Sequence, residues 1–175
     1  MTVELGGHAL AEAIGAVFTD AVVDATPGWV EVRPERLPQV CRWLHDSPEH
    51  DFRQLLSLTA VDRLSRFEVV YHLLSHVKNH MAVLKTAVTG REAPEVDSVV
   101  PVWYGAILQE REVYDLFGIR FRGHPDLRRL FLWEGFSGWP LRKDFLQIPG
   151  RHPGLAGFPH EVPGQELDLS PRGTL

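Results

Sequence analysis

Three strand-like segments follow one another in the middle of this sequence, with only short connections between them. They are RQLLSLTAVD at 53–62, RFEVVYHLLS at 66–75 and HMAVLKTAV at 80–88. Together they are rich in Val, Leu, Phe and Tyr, residue types that suit a pleated, half-buried backbone. Because such short connections join antiparallel neighbours, the segments predict a central antiparallel sheet on which every other element has to pack.

The segments on the N-terminal side predict two helices and two shorter strands. The first twenty residues indicate an amphipathic helix with one apolar face, formed by Leu10, Ala13, Ile14 and Val17. AVVDAT and WVEVR are strand-like and are joined by a Pro-Gly turn. A second helix is predicted from about Pro34 to Asp46, with the proline in its first turn.

Two further helices are predicted after the three strands. Asp97 and Ser98 are expected to cap a short helix that begins at VVPVW. A longer helix is predicted from about Ala106 to Phe117, closed by Gly118 in the left-handed conformation. The predicted fold class is therefore α/β (α+β), a single domain over residues 1–145. It has a mostly antiparallel sheet of about five strands, and helices cover one face of that sheet.

The last thirty residues, 146–175, differ in composition from the rest of the chain. They contain five Pro and five Gly, and their apolar residues show no periodicity. Such a segment buries too little surface to offset its ordering entropy. We therefore predict an extended, irregular C-terminal tail that is mobile in the isolated chain and packs on a partner protein. Its expected anchors are Leu155, Phe158, Val162 and Leu167.

Charge and cysteine content exclude several classes of function. The chain has 18 Lys and Arg against 23 Asp and Glu, and a net charge of −5 is unsuited to general nucleic-acid binding. Its single cysteine, Cys41, cannot form an internal disulfide, ligate an iron–sulfur cluster or build a Cys-rich zinc site. Cys41 lies on the apolar face of the second predicted helix, so a buried structural thiol is expected. No apolar stretch is long enough for a membrane span, and a soluble, cytoplasmic protein is expected.

The histidines and the common catalytic motifs give no site. His72, His76 and His80 are spaced by four, but HVKNH is predicted to be a loop between two strands, which breaks helical alignment. No metal ligation is therefore expected from them. The chain also lacks H-E-x-x-H, P-loop, G-x-S-x-G and G-x-G-x-x-G motifs.

The charged stretch QEREVYDLFGIRFRGHPDLRR at 109–129, followed by PLRKDF at 140–145, is the main functional candidate. Arg111 and Asp115 are four residues apart and are expected to pair along one helix face. Gly123 and Pro125 restrict the backbone of the turn that follows. A fixed, Arg-rich loop after an amphipathic helix favours protein docking. The predicted partner-interface residues are Glu110, Arg111, Glu112, Asp115, Gly118, Gly123, His124, Pro125, Asp126, Arg128, Arg129, Arg142, Lys143 and Asp144.

Two other functions remain open at this stage. The first is an independent enzyme that uses His124 and Asp126 as an acid–base pair. The second is a nucleic-acid-binding module that uses the local excess of positive charge provided by Arg120, Arg122, Arg128 and Arg129.

EREVYDLFGIRFRGHPDLRRL at 110–130 and PLRKDF at 140–145 closely resemble the signature of a known family. This family is the C-type subunit of proton-pumping NADH-quinone oxidoreductase, respiratory complex I. RFEVVYHLLS at 66–75 also resembles its central strand, and the similarity extends over roughly residues 50–145.

The resemblance implies a non-catalytic scaffold subunit in the hydrophilic arm of a complex-I-like enzyme. Such a protein is peripheral, on the cytoplasmic side of the cell membrane, and packs against the quinone-pocket subunit, which is the D-type subunit of the enzyme. Flavin, iron–sulfur clusters and quinone then belong to partner subunits, and this chain carries no cofactor. The electron donor is NADH or ferredoxin, and the equivalent subunit of a membrane-bound hydrogenase is the alternative.

Overall fold

The computed structural model describes residues 2–145, which form a layer of helices against a six-stranded sheet. The six strands of this sheet are β1 (Val3–Glu4), β2 (Val22–Thr26), β3 (Trp29–Val32), β4 (Gln54–Asp62), β5 (Phe67–Ser75) and β6 (His80–Val88). Two more strands, β7 (Glu95–Asp97) and β8 (Arg120–Arg122), lie outside it. The helices are α1 (Gly7–Val17), α2 (Leu37–Asp46), preceded by a 3₁₀ turn at Pro34–Arg36, and α3 (Ala106–Phe117).

The three central strands pair as the short connections predict. β5 lies between β4 and β6, antiparallel to both, and Tyr71 faces Leu58 on one side and Leu84 on the other. The full order is β2-β3-β6-β5-β4, with β3 parallel to β6 and β1 parallel to the start of β6. The mostly antiparallel sheet is therefore confirmed, with β1 as a sixth strand that is too short to be seen in the sequence.

The helices cover one face of this sheet. Along β5 the alternate side chains of Phe67, Val69, Tyr71 and Leu73 join the core. All three helices contribute to the same core, with Leu10 and Ile14 from α1, Leu37, Val40, Cys41 and Leu44 from α2, and Ala106, Val113 and Phe117 from α3. The buried thiol of Cys41 is confirmed. Burial, followed by the nearby charge of Glu110, raises the pKa of this thiol and keeps it protonated.

Helix α3 lies beside β4, the strand at one edge of the sheet. The side-chain oxygen of Gln109 on α3 accepts a hydrogen bond from the backbone N–H of Leu58. Just before the helix, the indole N–H of Trp103 donates to the carbonyl of Phe52, at 2.8 Å. The β4–β5 pairing also shifts register between Leu55 and Ser57. The helix and this irregularity together leave β4 only partly open to another strand.

The segment that joins β6 to α3 differs from the prediction. Residues 98–105 form turns rather than the predicted short helix. The hydroxyl of Ser98 donates to the Glu110 side chain at 2.7 Å and accepts the backbone N–H of Val100 at 3.2 Å. β7 and β8 pair in parallel as a separate two-stranded sheet, which the sequence did not predict. Val17, expected on the apolar face of α1, is exposed. The predicted tail, residues 146–175, lies outside the described residues.

Among residues 2–145, none of the helices has both the length and the hydrophobicity needed to cross a membrane.

Substitution of Gly7 tests how closely α1 approaches the β2–β3 turn. A Cβ atom on Gly7 would lie 2.2 Å from the carbonyl oxygen of Trp29 and 2.3 Å from that of Thr26. We expect Gly7→Ala to lower the free energy of unfolding by about 1–3 kcal/mol, because backbone has to move. Gly15→Ala on the same helix is the control, since nothing lies within 4 Å of a Cβ there. Equal stability of the two variants in urea unfolding would contradict this account.

Candidate functional site

The Asp115 carboxylate organises the loop that follows β8. Asp115 lies in the last turns of α3 with 0% of its surface exposed. One carboxylate oxygen, Oδ2, accepts backbone N–H bonds from Leu130, Phe131 and Leu132 at 3.1, 2.7 and 2.9 Å. The other oxygen, Oδ1, accepts from the guanidinium of Arg129 at 2.9 Å. A single buried side chain therefore holds three consecutive residues of the loop.

Two arginines fasten the same loop through its carbonyl groups. Arg129 donates to the carbonyls of Phe136 and Gly138 at 3.0 and 3.1 Å, and its guanidinium lies 4.5 Å from the centre of the Trp139 ring. Arg111 on α3 donates to the carbonyls of residues 128 and 129 at 3.1 and 2.9 Å. The loop backbone between residues 126 and 139 is thus fixed by charged hydrogen bonds, which are stronger than neutral ones.

This arrangement corrects the predicted Arg111–Asp115 pair. Asp115 pairs with Arg129 instead, while Arg111 lies 3.9 Å from Asp126. Burial by itself would raise the pKa of Asp115, but the bonds from residues 129–132 outweigh it and lower this pKa. Spacing along a helix identifies neighbours on its surface, whereas Asp115 points into the protein.

Glu110, one turn earlier on α3, is also fully buried. Its carboxylate accepts the hydroxyl of Ser98 and the backbone N–H of Val99, both at 2.7 Å. Among residues 2–145 it forms no salt bridge. Burial therefore dominates and raises the pKa of Glu110 to about 7, against the lowering effect of its two hydrogen bonds. Glu110 anchors the turn between β7 and α3.

The second motif, PLRKDF at 140–145, is anchored at the end of the sheet by Arg91. This arginine makes a two-bond pair with Asp62 at 2.8 and 2.9 Å and also donates to Asp144 at 2.8 Å. Asp62 in addition accepts the backbone N–H of Lys143 at 3.0 Å. Its hydrogen bonds to Arg91, opposed by burial and reinforced by backbone N–H donors, hold the pKa of Asp62 well below its usual range.

Arg142, which also lies in the PLRKDF motif, binds the C-terminal end of α3. Its guanidinium donates to the carbonyls of Phe117 and Arg91, at 2.5 and 2.7 Å. A cation at the C-terminal end of a helix is stabilising, because the last carbonyls have no partner within the helix. Arg142 and Asp144 therefore join segments of this chain, whereas the side chain of Lys143 is exposed.

Gly118 closes α3 as predicted, with a φ of 73°. It also allows a close contact, since a Cβ at this position would lie 2.5 Å from the Trp139 ring. Trp139 in turn contacts Tyr114 on α3, with ring centres 5.4 Å apart. The loop thus packs back onto the helix that precedes it.

The turn at Gly123–Asp126 uses His124 as a structural residue. Its Nδ1 accepts the N–H of Asp126 at 3.0 Å, so Nε2 carries the proton and donates to the carbonyl of Ile107 at 2.9 Å. Asp126 pairs with Arg128 at 2.9 Å. Both ring nitrogens of His124 are occupied by backbone groups, which argues against the acid–base alternative.

Three of the four arginines proposed for nucleic-acid binding are paired with carboxylates. Arg129 is committed to Asp115, Arg122 pairs with Asp97 at 2.9 Å, and Arg128 pairs with Asp126. Salt bridges of this kind reduce the charge available to phosphates, which argues against that alternative.

The predicted interface residues fall into two groups. Those that bind other parts of the chain are Glu110, Arg111, Asp115, Gly118, His124, Arg129, Arg142 and Asp144. Those that project to the surface are Glu112, Gly123, Pro125, Asp126, Arg128 and Lys143. Their role at a partner interface stays a prediction.

Sequence reasoning missed two residues that complete the site. Arg91 and Asp62 lie outside the two motifs and meet residues 143 and 144 only in the fold. The sequence signal for Asp62 is weak: it is a charged residue at the end of β4, a strand whose side chains alternate between core and surface.

Comparisons with known proteins identify the family. The sequence profile of "Respiratory-chain NADH dehydrogenase, 30 Kd subunit" matches residues 30–150. The chain therefore belongs to that family, and the resemblance inferred from the signature is confirmed.

Its relatives include proteins named as the C-type subunit of NADH-quinone oxidoreductase. One from Roseiflexus castenholzii is 49% identical over 118 residues, which cover 66% of this chain and 67% of that protein. One from Maricaulis maris is 44% identical over 143 residues, 75% and 70% of the two chains. A third, from Rhizobium etli, is 48% identical over 117 residues, 65% of this chain. The match spans only 62% of the length of that Rhizobium protein.

A solved structure shows the same fold in a distant protein. A chain from the membrane-bound sulfane sulfur reductase, an archaeal respiratory membrane complex, superposes with a TM-score of 0.65 at 23% identity. The superposition covers 81% of this chain and 86% of that chain.

Removal of the Asp115 carboxylate tests its role in holding the loop. We expect Asp115→Ala to lower the free energy of unfolding by about 3–5 kcal/mol, because it leaves Arg129 and three N–H groups without their partner. Glu112→Ala, at an exposed position on the same helix, is expected to change it by less than about 0.5 kcal/mol. Urea unfolding of both variants measures the difference, and a loss below about 1 kcal/mol for Asp115→Ala would exclude this role.

The raised pKa of Glu110 predicts a pH dependence of stability. The folded chain binds a proton at Glu110 with a pKa of about 7, whereas the unfolded chain binds it near 4.5. The folded state therefore holds more protons between these values, and its stability falls as pH rises through this window. For this group alone, we expect a loss of about 1 kcal/mol between pH 6 and 8.

Glu110→Gln is the variant that tests this dependence. Glutamine keeps an acceptor for Val99 and carries no charge, so we expect its free energy of unfolding, relative to the native chain, to rise between pH 6 and 8. Glu112→Gln provides the control, because that side chain is exposed. Parallel pH profiles for the native chain and Glu110→Gln would exclude titration of Glu110 in this range.

Proposed function

We propose that this chain is a non-catalytic scaffold subunit of a complex-I-like NADH (or ferredoxin):quinone oxidoreductase. It docks on the quinone-pocket subunit, the D-type subunit of the hydrophilic arm, next to the cluster-bearing subunits. The assembly is proton-translocating, and the chain is peripheral on the cytoplasmic side of the membrane. Flavin, iron–sulfur clusters and quinone are bound by the partner subunits.

One observation carries this proposal. Charged residues of the family signature hydrogen-bond to the chain's own backbone. Asp115 binds residues 130–132, and Arg111 binds residues 128 and 129. Catalytic groups need a free nitrogen or oxygen within reach of a substrate. Here the same groups give a loop of defined shape on the surface, which is what a docking protein requires.

Family membership supports the role in an assembly. The relatives carry the name of a subunit of NADH-quinone oxidoreductase, and the structural relative comes from a respiratory membrane complex. In the described part of the chain, no group of three or more His, Cys, Asp or Glu side chains is arranged to hold a metal.

Reconstitution without this chain tests the proposed function. We expect an assembly that lacks the chain to lose electron transfer from its donor to quinone, and the purified full-length chain to restore it. The purified chain alone is expected to show no visible absorption, no stoichiometric metal and no turnover. Full activity of the assembly without the chain, or a bound redox group in the purified chain, would refute the proposal.

A further inference from the structure

The loop that Asp115 holds exposes large apolar side chains. Phe131 donates its backbone N–H to Asp115, yet its side chain points outward and is 65% exposed. Leu141 donates its backbone N–H to the carbonyl of Leu116, the next residue of α3, and is 52% exposed. The last turn of α3 therefore fixes the backbone of two residues whose apolar side chains face solvent.

An open cleft of about 460 Å³ lies next to this loop, and Phe131 is not one of its lining residues. It is lined by Tyr114, Leu127 and Leu132 and by the charged side chains of Arg128, Arg129 and Glu134. The cleft lies between the end of α3 and the loop, so its shape depends on the same hydrogen bonds that hold residues 130–132. Because its lining is more polar than apolar, this cleft suits a polar or charged side chain of a partner.

Arg128 has donors left for a partner. Its side chain is 71% exposed, and its salt bridge with Asp126 uses only Nε. Guanidinium has five N–H donors in a fork that matches a carboxylate, so the two terminal nitrogens can bind a second one.

We propose that the outer face of residues 126–141 is the surface through which this chain binds its partner in the assembly. The partner presents a carboxylate to Arg128 at the cleft and an apolar side chain to the exposed Phe131. This inference rests on the proposed docking function and names the chemistry of the contact. Aromatic residues and arginine dominate the binding energy of protein interfaces, and a loop fixed in advance loses little entropy on binding.

The buried charges have a different task under this proposal. Asp115, Arg111 and Arg129 shape the surface, and Phe131 and Arg128 make the contact. Substitution of the first group changes the fold of the chain, whereas substitution of the second group changes only binding. The two groups are therefore separated by measuring stability and affinity on the same variants.

Phe131→Ser and Arg128→Glu are the test variants, each with a matched control. Val77→Ser and Lys78→Glu make comparable changes, from apolar to hydroxyl and from cation to anion, in the exposed turn between β5 and β6, where Val77 is 79% exposed. Thermal unfolding of each purified variant checks that the fold is intact. Affinity is then measured for the assembly lacking this chain, which is titrated with each variant.

We expect Phe131→Ser and Arg128→Glu to weaken binding by at least about tenfold with unchanged unfolding temperature, and the controls to bind like the native chain. Arg128→Leu is expected to weaken binding and to make it less sensitive to salt, because the contact with the partner's carboxylate is lost. Native affinity of both test variants would overturn this surface while leaving the docking function intact. Failure of the native chain itself to bind would overturn the docking function.

Discussion

The surface described above depends on one buried carboxylate, that of Asp115. Ionised groups are costly to bury, and the cost is met only when charge and hydrogen bonds surround them. Asp115 has both, with Arg129 on one oxygen and three backbone N–H groups on the other. The hydrogen bonds that would be lost on removal of Asp115 are the same bonds that fix the backbone of residues 130–132. The charge thereby acts as an organising centre for a segment with no regular secondary structure.

The same principle applies at the end of the sheet. Arg91 draws Asp62 and Asp144 together, and Arg142 binds the carbonyl of the last residue of α3. Residues 140–145 thus connect the sheet to the helix. The two motifs of the signature, separated in sequence by residues 131–139, are both fastened to the last turn of α3. This explains why the chain carries so many charged side chains in one region.

The sequence predicts the regular elements well because their signals are local. The alternation in β4, β5 and β6 and the periodicity of α3 each lie within a short stretch of chain, and Gly118 marks the end of the helix where a positive φ is needed. Tertiary pairing gives no such signal. Glu110 accepts the hydroxyl of Ser98, 12 residues away, and Asp115 pairs with Arg129, 14 residues away. β7 and β8 have 3 residues each, too few for a pattern. The exposure of Phe131 also has no signal in the sequence spacing, because its loop is positioned by a tertiary bond to Asp115.

The contact between α3 and the edge of the sheet has a consequence for the chain before it meets other subunits. An open edge strand offers a row of unpaired N–H and C=O groups to any second strand, and it is a common start of aggregation. Gln109 occupies the N–H of Leu58, and the shifted register near Ser57 interrupts the edge of β4. The edge of β4 is therefore only partly available for pairing with a second copy of the chain. The helix that positions the loop thus also hinders strand-to-strand association at β4.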